Sequence, residues 1–142
     1  NNDHRVVTFH DSCNVARGSN MGDIENGQFI LPREVIKAAC NNFIDMPKNT
    51  IKSSTFCCGG GAGLLTDDLI DLRIKGAKPR MHALRKSEQE SGVNTLAAIC
   101  AICKSQFSKV LPNYDFDPYM VVSVHQLVSD AIVLSESLKQ KD

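Results

Sequence analysis

The 142-residue sequence predicts an α/β fold: a mostly parallel sheet of about four to five strands with helices on both faces. Two observations carry this. Short apolar runs rich in β-branched residues alternate along the chain with segments whose apolar residues recur at helical period. Most strand-like runs are also followed by a helix-like segment before the next, so most successive strands need crossover connections and pair parallel.

The first run, "RVVTFHD" at residues 5–11, reads as a buried strand that delivers Cys13 to its C-terminal end. Residues 14–30, "NVARGSNMGDIENGQFI", are polar and glycine-containing and read as a surface loop. "LPREVIKAACNNF" at 31–43 has Pro32 in a first helical turn, with Val35, Ile36, Ala39 and Cys40 on one face, and should end near Asn41 and Asn42. "FIDM" at 43–46 and "SSTFCC" at 53–58 read as two further short strands, the second stopped by glycines. "AGLLTDDLIDLRIK" at 62–75 and "RMHALRKSEQESG" at 80–92 read as two helices, with Gly92 as the stop of the second. "VNTLAAIC" at 93–100 is another buried strand, "AICKSQFSKVL" at 101–111 a helix ended by Pro112, "YMVVSVH" at 119–125 a last strand and "QLVSDAIVLSESLKQ" at 126–140 a last amphipathic helix.

With 42% apolar residues the length fits one core, so residues 1–142 are read as a single domain. Sixteen basic residues balance sixteen acidic ones, and tryptophan is absent, so neither a charge field nor a stacking platform argues for nucleic acid. No run reaches the ~18 apolar residues of a membrane span. The start "NNDHRVVTF" has neither an initiator Met nor a signal-peptide shape, and the chain reads as a fragment of a longer protein.

Six cysteines are many for this length: Cys13, Cys40, Cys57, Cys58, Cys100 and Cys103. A disulfide framework, a metal site and a redox dithiol compete as readings. The alternation of strands and helices weighs against the loop-rich disulfide scaffold. In an open parallel sheet, ligands gather beyond the C-terminal strand ends. Cys13, the pair Cys57-Cys58, and Cys100 with Cys103 each follow an expected strand, so five thiols converge on that edge. Five donors exceed the four of tetrahedral zinc but suit a multi-iron cluster, and successive amides of Gly59, Gly60 and Gly61 can form a nest for an anion. Cys40, on a helix's apolar face, reads as a small buried hydrophobe.

A single Cys, then Cys-Cys-Gly, then Cys-x-x-Cys resembles the cysteine-rich CCG domain of heterodisulfide reductases and their relatives. "TFHDSCNVAR", "PREVIKA", "CCGGGAG" and "TLAAICAICKSQF" match successive segments of that family over nearly the whole chain. Ser12 stands where the family usually has proline, Ala101-Ile102 fill a Cys-x-x-Cys interior that often holds proline, and one motif is present where relatives commonly carry two. The "PREVIKAACNNFIDM" and "ICAICKSQF" wording is most similar to the single-motif iron–sulfur subunits of Dsr membrane complexes.

The resemblance implies that Cys13, Cys57, Cys58, Cys100 and Cys103 bind a non-cubane 4Fe-4S cluster that makes or breaks a disulfide or trisulfide, on a small sulfur-carrier protein in sulfur metabolism. It further implies partner subunits of a membrane-associated redox complex and a cytoplasmic site peripheral to the membrane. The rival expectation is a zinc- or cluster-stabilised module for assembly or electron relay. His10, beside Asp11, and His125, at the end of the last strand, are candidates for hydrogen bonding to the centre or for proton transfer, with a purely structural role as the alternative for each. Asp67, Asp68 and Asp71 read as a solvated helix face, as does the basic stretch from Arg73 to Lys86.

Overall fold

Three parallel strands form the centre of the computed structural model, which describes residues 1–132. They are β1 (Val7–His10), β2 (Thr95–Ala98) and β3 (Val121–Ser123), in that spatial order. The register pairs Val7 with Thr95 and His10 with Ala98 on one side of β2, and Leu96 with Val121 on the other. β1 and β2 are buried along their full length, as expected when helices cover both faces.

Alternation of side chains across the sheet divides the core in two. Val7, Phe9, Ala97 and Val122 pack with Ile36 of α1 (Leu31–Ala39) and Leu127 of α4 (Val124–Ala131). On the other face, Leu96, Ala98 and Val121 pack with Ala77, Met81 and Leu84 of α2 (Ile70–Ser91) and with Phe107 and Val110 of α3 (Ala101–Val110). His10 belongs to this second face and meets the Phe107 ring edge-on, with centroids 4.8 Å apart.

The expected α/β class, the parallel pairing and the helices on both faces are all present, but the sheet of the described residues has three strands rather than four to five. Residues 43–46 contribute only a bridge from Phe43 to Val7. Residues 53–58 form no strand: a 3₁₀ turn spans Lys52–Ser54, and the chain then runs irregularly to the cysteine pair. Distant side chains take over its hydrogen bonding. Arg17 donates to the carbonyls of Ser53 and Thr55, the Lys52 N–H donates to Asp11, and Thr55 donates through its hydroxyl to the Asp11 carbonyl. A buried backbone needs partners, and here it finds them without a neighbouring strand.

Of the helix expected over 62–75 only the part from Ile70 is α-helical, residues 62–66 being turn and irregular chain and Asp67–Leu69 a 3₁₀ turn, and that part is continuous with the helix expected over 80–92. α2 runs 22 residues through Pro79, which lies on the exposed side of the helix. Gly92 ends it in the left-handed region, as expected. α1 stops at Ala39, with Cys40 as its extended cap. β3 stops at Ser123, whose hydroxyl caps α4 by accepting from the Gln126 N–H, so the expected strand over 119–125 loses its last two residues to a helix. Residues 133–140 of the expected last helix lie outside the described residues.

Candidate metal centre

Each cysteine of the motif is presented by a local device. Cys13 begins a π-helical turn, Cys13–Gly18, capped by Ser12, directly after β1. Cys100 follows β2 as the cap residue of α3, and Cys103 lies one turn in on the helix's buried side. Cys57 and Cys58 come from the irregular segment, with Cys58 only 3% exposed and Cys57 half-buried.

Cys58 and Cys103 are buried in one half of the core with Cys57 and Cys100 packed against it, and the thiols perturb one another in sequence: Cys57 acts on Cys13, Cys58 on Cys57, and Cys103 on both Cys58 and Cys100. All are free cysteines. Cys40 is free and buried as well, but it packs with Val7, Phe9 and Ile36 in the opposite half of the core.

Crowding of like groups sets their acidity. Hydrogen bonding with Cys58, then burial, pushes the Cys57 thiol up to about 12. Hydrogen bonding with Cys103, with burial adding to it, pushes Cys58 up to about 12, and burial beside Cys57 raises Cys13. Cys100 moves the other way. Burial opposes its ionisation, but the Cys103 N–H and thiol, then the Ile102 N–H and Ser12, outweigh that and lower its pKa.

The glycine loop does part of what its sequence suggests. The Gly59 N–H points to Cys57 Sγ at 3.3 Å and the Gly60 N–H to Cys58 Sγ at 3.4 Å. Gly59 also allows the loop to touch α2: a Cβ there would lie 2.5 Å from the Arg73 carbonyl oxygen and 2.7 Å from the Ala77 nitrogen, at a φ of +90°. Opposite it on α2, Gly76 again presents no side chain. Beside this contact lies a cleft of about 230 Å³ lined by Cys57, Gly59, Gly61, Leu64, Leu72 and Arg73.

His10 sits at the deep end of the thiols. One ring nitrogen and the sulfurs of Cys58 and Cys103 lie within 4.8 Å of one another, and neither ring nitrogen has a hydrogen-bond partner among the described residues. Burial, reinforced by the Arg80 charge, drives its pKa well below the usual imidazole value, so the ring is neutral. His125 is elsewhere. It falls in the first turn of α4, exposed, beside an apolar cleft lined by Leu31, Pro32, Val35, Ile99 and Val124, to which none of the five cysteines contributes.

Sequence reasoning missed two arginines. Arg73 and Arg80 are buried, although the basic stretch around them reads as a solvated face. Arg73 donates to Gln106 Oε1 and to the carbonyls of Leu65 and Thr66, tying the far end of the glycine loop to α2 and α3. Arg80, at 0% exposure, donates to the Thr50 carbonyl and Thr55 Oγ1 and lies over the Phe56 ring, directly before the cysteine pair. The signal was present: positions 73, 77, 80, 84 and 87 fall on one helical face with Ala77 and Leu84. Asp67, Asp68 and Asp71 are exposed, as expected.

A donor set of five thiols with orphaned, buried polar atoms at its inner end fits an anionic metal–sulfur group: the sulfurs are ligands, and the His10 ring offers an unspent N–H. A parallel α/β fold with thiols gathered beyond its strand ends, delivered by a Cys-Cys-Gly loop and a helix-capping Cys-x-x-Cys, defines a cysteine-rich metal-binding class. The chain belongs to the CCG family, described as "Cysteine-rich domain", whose model matches residues 7–108. It is 46% identical over 134 residues to the "Hdr-like menaquinol oxidoreductase iron-sulfur subunit 2" of Archaeoglobus fulgidus, and 42% identical over 134 residues to the corresponding iron–sulfur subunit of Archaeoglobus profundus. Each match covers 94% of this chain and 23% of the relative, so the chain spans about a quarter of the length of these curated relatives. A "Probable membrane-anchored ferredoxin" of Chromohalobacter salexigens is 25% identical over 127 residues, which is 89% of this chain and 17% of that relative. No solved structure matches. Among the described residues, no helix is long and apolar enough to cross a membrane.

Proposed function

We propose that this chain is the redox domain of a heterodisulfide-reductase-like iron–sulfur oxidoreductase, and that Cys13, Cys57, Cys58, Cys100 and Cys103 hold a non-cubane 4Fe-4S cluster. The observation that supports it best is the gathering of free thiols after the strand ends, Cys57, Cys58, Cys100 and Cys103 in one cluster and Cys13 just after β1, a number that one tetrahedral ion does not use. When bound, such a cluster supplies single-electron steps for a two-electron reaction. The reaction proposed is cleavage of a disulfide or trisulfide, or its reverse; for a disulfide, one S–S bond, two electrons and two protons give two thiols.

The protein's own groups prepare this chemistry. The amides of Gly59 and Gly60 and the first turn of α3 stabilise negative sulfur. His10, with free ring nitrogens and a pKa lowered by burial, offers one ring N–H as a hydrogen-bond donor to sulfur. The cleft beside Cys57 gives a substrate sulfur an approach from outside. His125 has no part in this scheme.

The relatives, iron–sulfur subunits of menaquinol oxidoreductases, favour a place as one domain of a longer subunit in a menaquinol-linked complex at a membrane, with electrons exchanged through the remainder of the protein. A small sulfur-carrier protein is the substrate proposed. The rival is a zinc module for assembly, favoured by one observation: His10, Cys58 and Cys103 form a compact three-donor set that zinc accepts. EPR of the anaerobically reconstituted, oxidised chain separates the two. A paramagnetic iron signal that changes on adding a thiol substrate is expected; a silent protein holding zinc alone would end the catalytic reading.

A further inference from the structure

Two buried arginines of this fold are treated differently by their surroundings. Arg33 meets both oxygens of Asp11 at 2.7 Å and both of Asp45 near 3 Å, so its charge is answered by carboxylates. Arg80 is more deeply buried and has no ion pair among the described residues. Its partners are all neutral: the Thr50 carbonyl, Thr55 Oγ1, Met46 Sδ at 3.0 Å, the Phe56 ring at 5.7 Å and, at 3.5 Å, the Phe56 carbonyl. Its Nε has no partner at all among the described residues. Asp11 is near enough to be felt, but its carboxylate is already taken by Arg33 and the Lys52 N–H.

A buried cation without a counter-ion is costly, and folds that keep one usually have the opposite charge close by. Arg80 reaches Thr55 Oγ1 and the Phe56 carbonyl, directly before the Cys57-Cys58 pair, and its partner Met46 packs in the same half of the core as Cys58 and Cys103, the next groups after Asp11 that act on it as negative charges. His10, the third member of their cluster, feels the Arg80 charge from the same side. Cysteines bind metal as thiolates, so loading the site brings negative charge to this place.

We infer that Arg80 is the built-in counter-charge of the metal centre, a positioning residue that fastens the Thr50–Phe56 backbone and whose charge, answered at a distance by Asp11, is answered more fully when the cysteines carry metal. The inference rests on the five cysteines being a metal centre, and not on which metal fills it. It makes the arginine part of the binding energy: removing the positive charge weakens the loaded state more than the empty one. In a redox centre it also favours the more negative, reduced state.

The test uses Arg80→Gln, which keeps a donor and removes the charge, and Arg80→Lys, which keeps the charge, with zinc as the probe in a chelator competition on this chain. Arg80→Gln is expected to weaken zinc about tenfold and Arg80→Lys by less than about threefold, the size of one partly screened buried charge. In the iron-loaded chain, Arg80→Gln should lower the midpoint potential, by ~59 mV for a tenfold loss of preference for the reduced state. Equal zinc affinity in Arg80→Gln and the wild type, or equal losses in both variants, would overturn the inference and leave Arg80 as a backbone clamp. Should the variants fail to fold, the Arg80 Nε–H resonance of the wild-type chain is followed by NMR on zinc loading; a shift with slower exchange supports the inference, and an unmoved resonance overturns it. A wild-type chain that takes zinc but not iron sinks the iron–sulfur reading while leaving this experiment decisive. A chain that binds neither metal refutes both.

Discussion

Replacing Gly59 with alanine isolates the contact that seats the cysteine pair. The new Cβ would stand 2.5 Å from the Arg73 oxygen and 2.7 Å from the Ala77 nitrogen, both main-chain atoms of α2 that cannot swing aside. Overpacking of that kind costs about 1–3 kcal/mol. The positive φ of +90° adds about 1–2 kcal/mol for a residue with a Cβ, giving a total of about 2–5 kcal/mol. Gly92→Ala is the matched control: it too has positive φ, +67°, but no atom lies within 4 Å of where its Cβ would stand, so only the backbone part, about 1 kcal/mol, should be lost. Urea unfolding of the metal-free chain measures both. Because the Gly59 N–H points to Cys57 Sγ, Gly59→Ala should also lower metal retention, whereas Gly92→Ala should not. If the two substitutions destabilise the chain equally, the close approach of loop and helix is wrong.

Other outcomes are expected from the same geometry. Arg33→Met strands the Asp11 carboxylate in the core and should cost about 3–5 kcal/mol by urea unfolding, with much of the loss recovered in the double variant Asp11→Asn, Arg33→Met. Cys58→Ser should remove essentially all bound metal by elemental analysis, whereas Cys40→Ser, on the far side of the sheet, should leave the metal spectrum unchanged. Tyr114→Phe loses a hydrogen bond to the Ile74 carbonyl and should cost about 0.5–1.5 kcal/mol in stability, with metal content unaffected.

The sequence shows those parts of the fold that local pattern dictates. The β-branched run before Cys13, the apolar run before Cys100, Pro32 in the first turn of α1 and Gly92 after α2 each mark an element the structure contains. The segment before Cys57 misleads because its "SSTF" pattern suits a strand, while its hydrogen bonds come from Arg17, Asp11 and Arg80, residues 25 to 44 positions away. No local period encodes such partners. Pro79, a residue that usually breaks helices, lies inside α2 on its exposed side, so the division into two helices over 62–75 and 80–92 does not hold. The cysteine spacing reveals which thiols can converge. It does not reveal that His10 is drawn in against Cys58 and Cys103, or that buried Arg80, unlike Arg33, has no carboxylate partner among the described residues; both depend on which side of β1 and of α2 faces the second half of the core.

The central claim is that five cysteines of one domain jointly hold an iron–sulfur centre. Iron and acid-labile sulfide analysis of the anaerobically reconstituted chain tests it most directly, run beside the five single Cys→Ser variants at 13, 57, 58, 100 and 103. The account predicts several irons with matching sulfide per chain, and reduced or altered iron in each variant. A single zinc with no sulfide, or full iron content in the variants at Cys13 and Cys57, would contradict it.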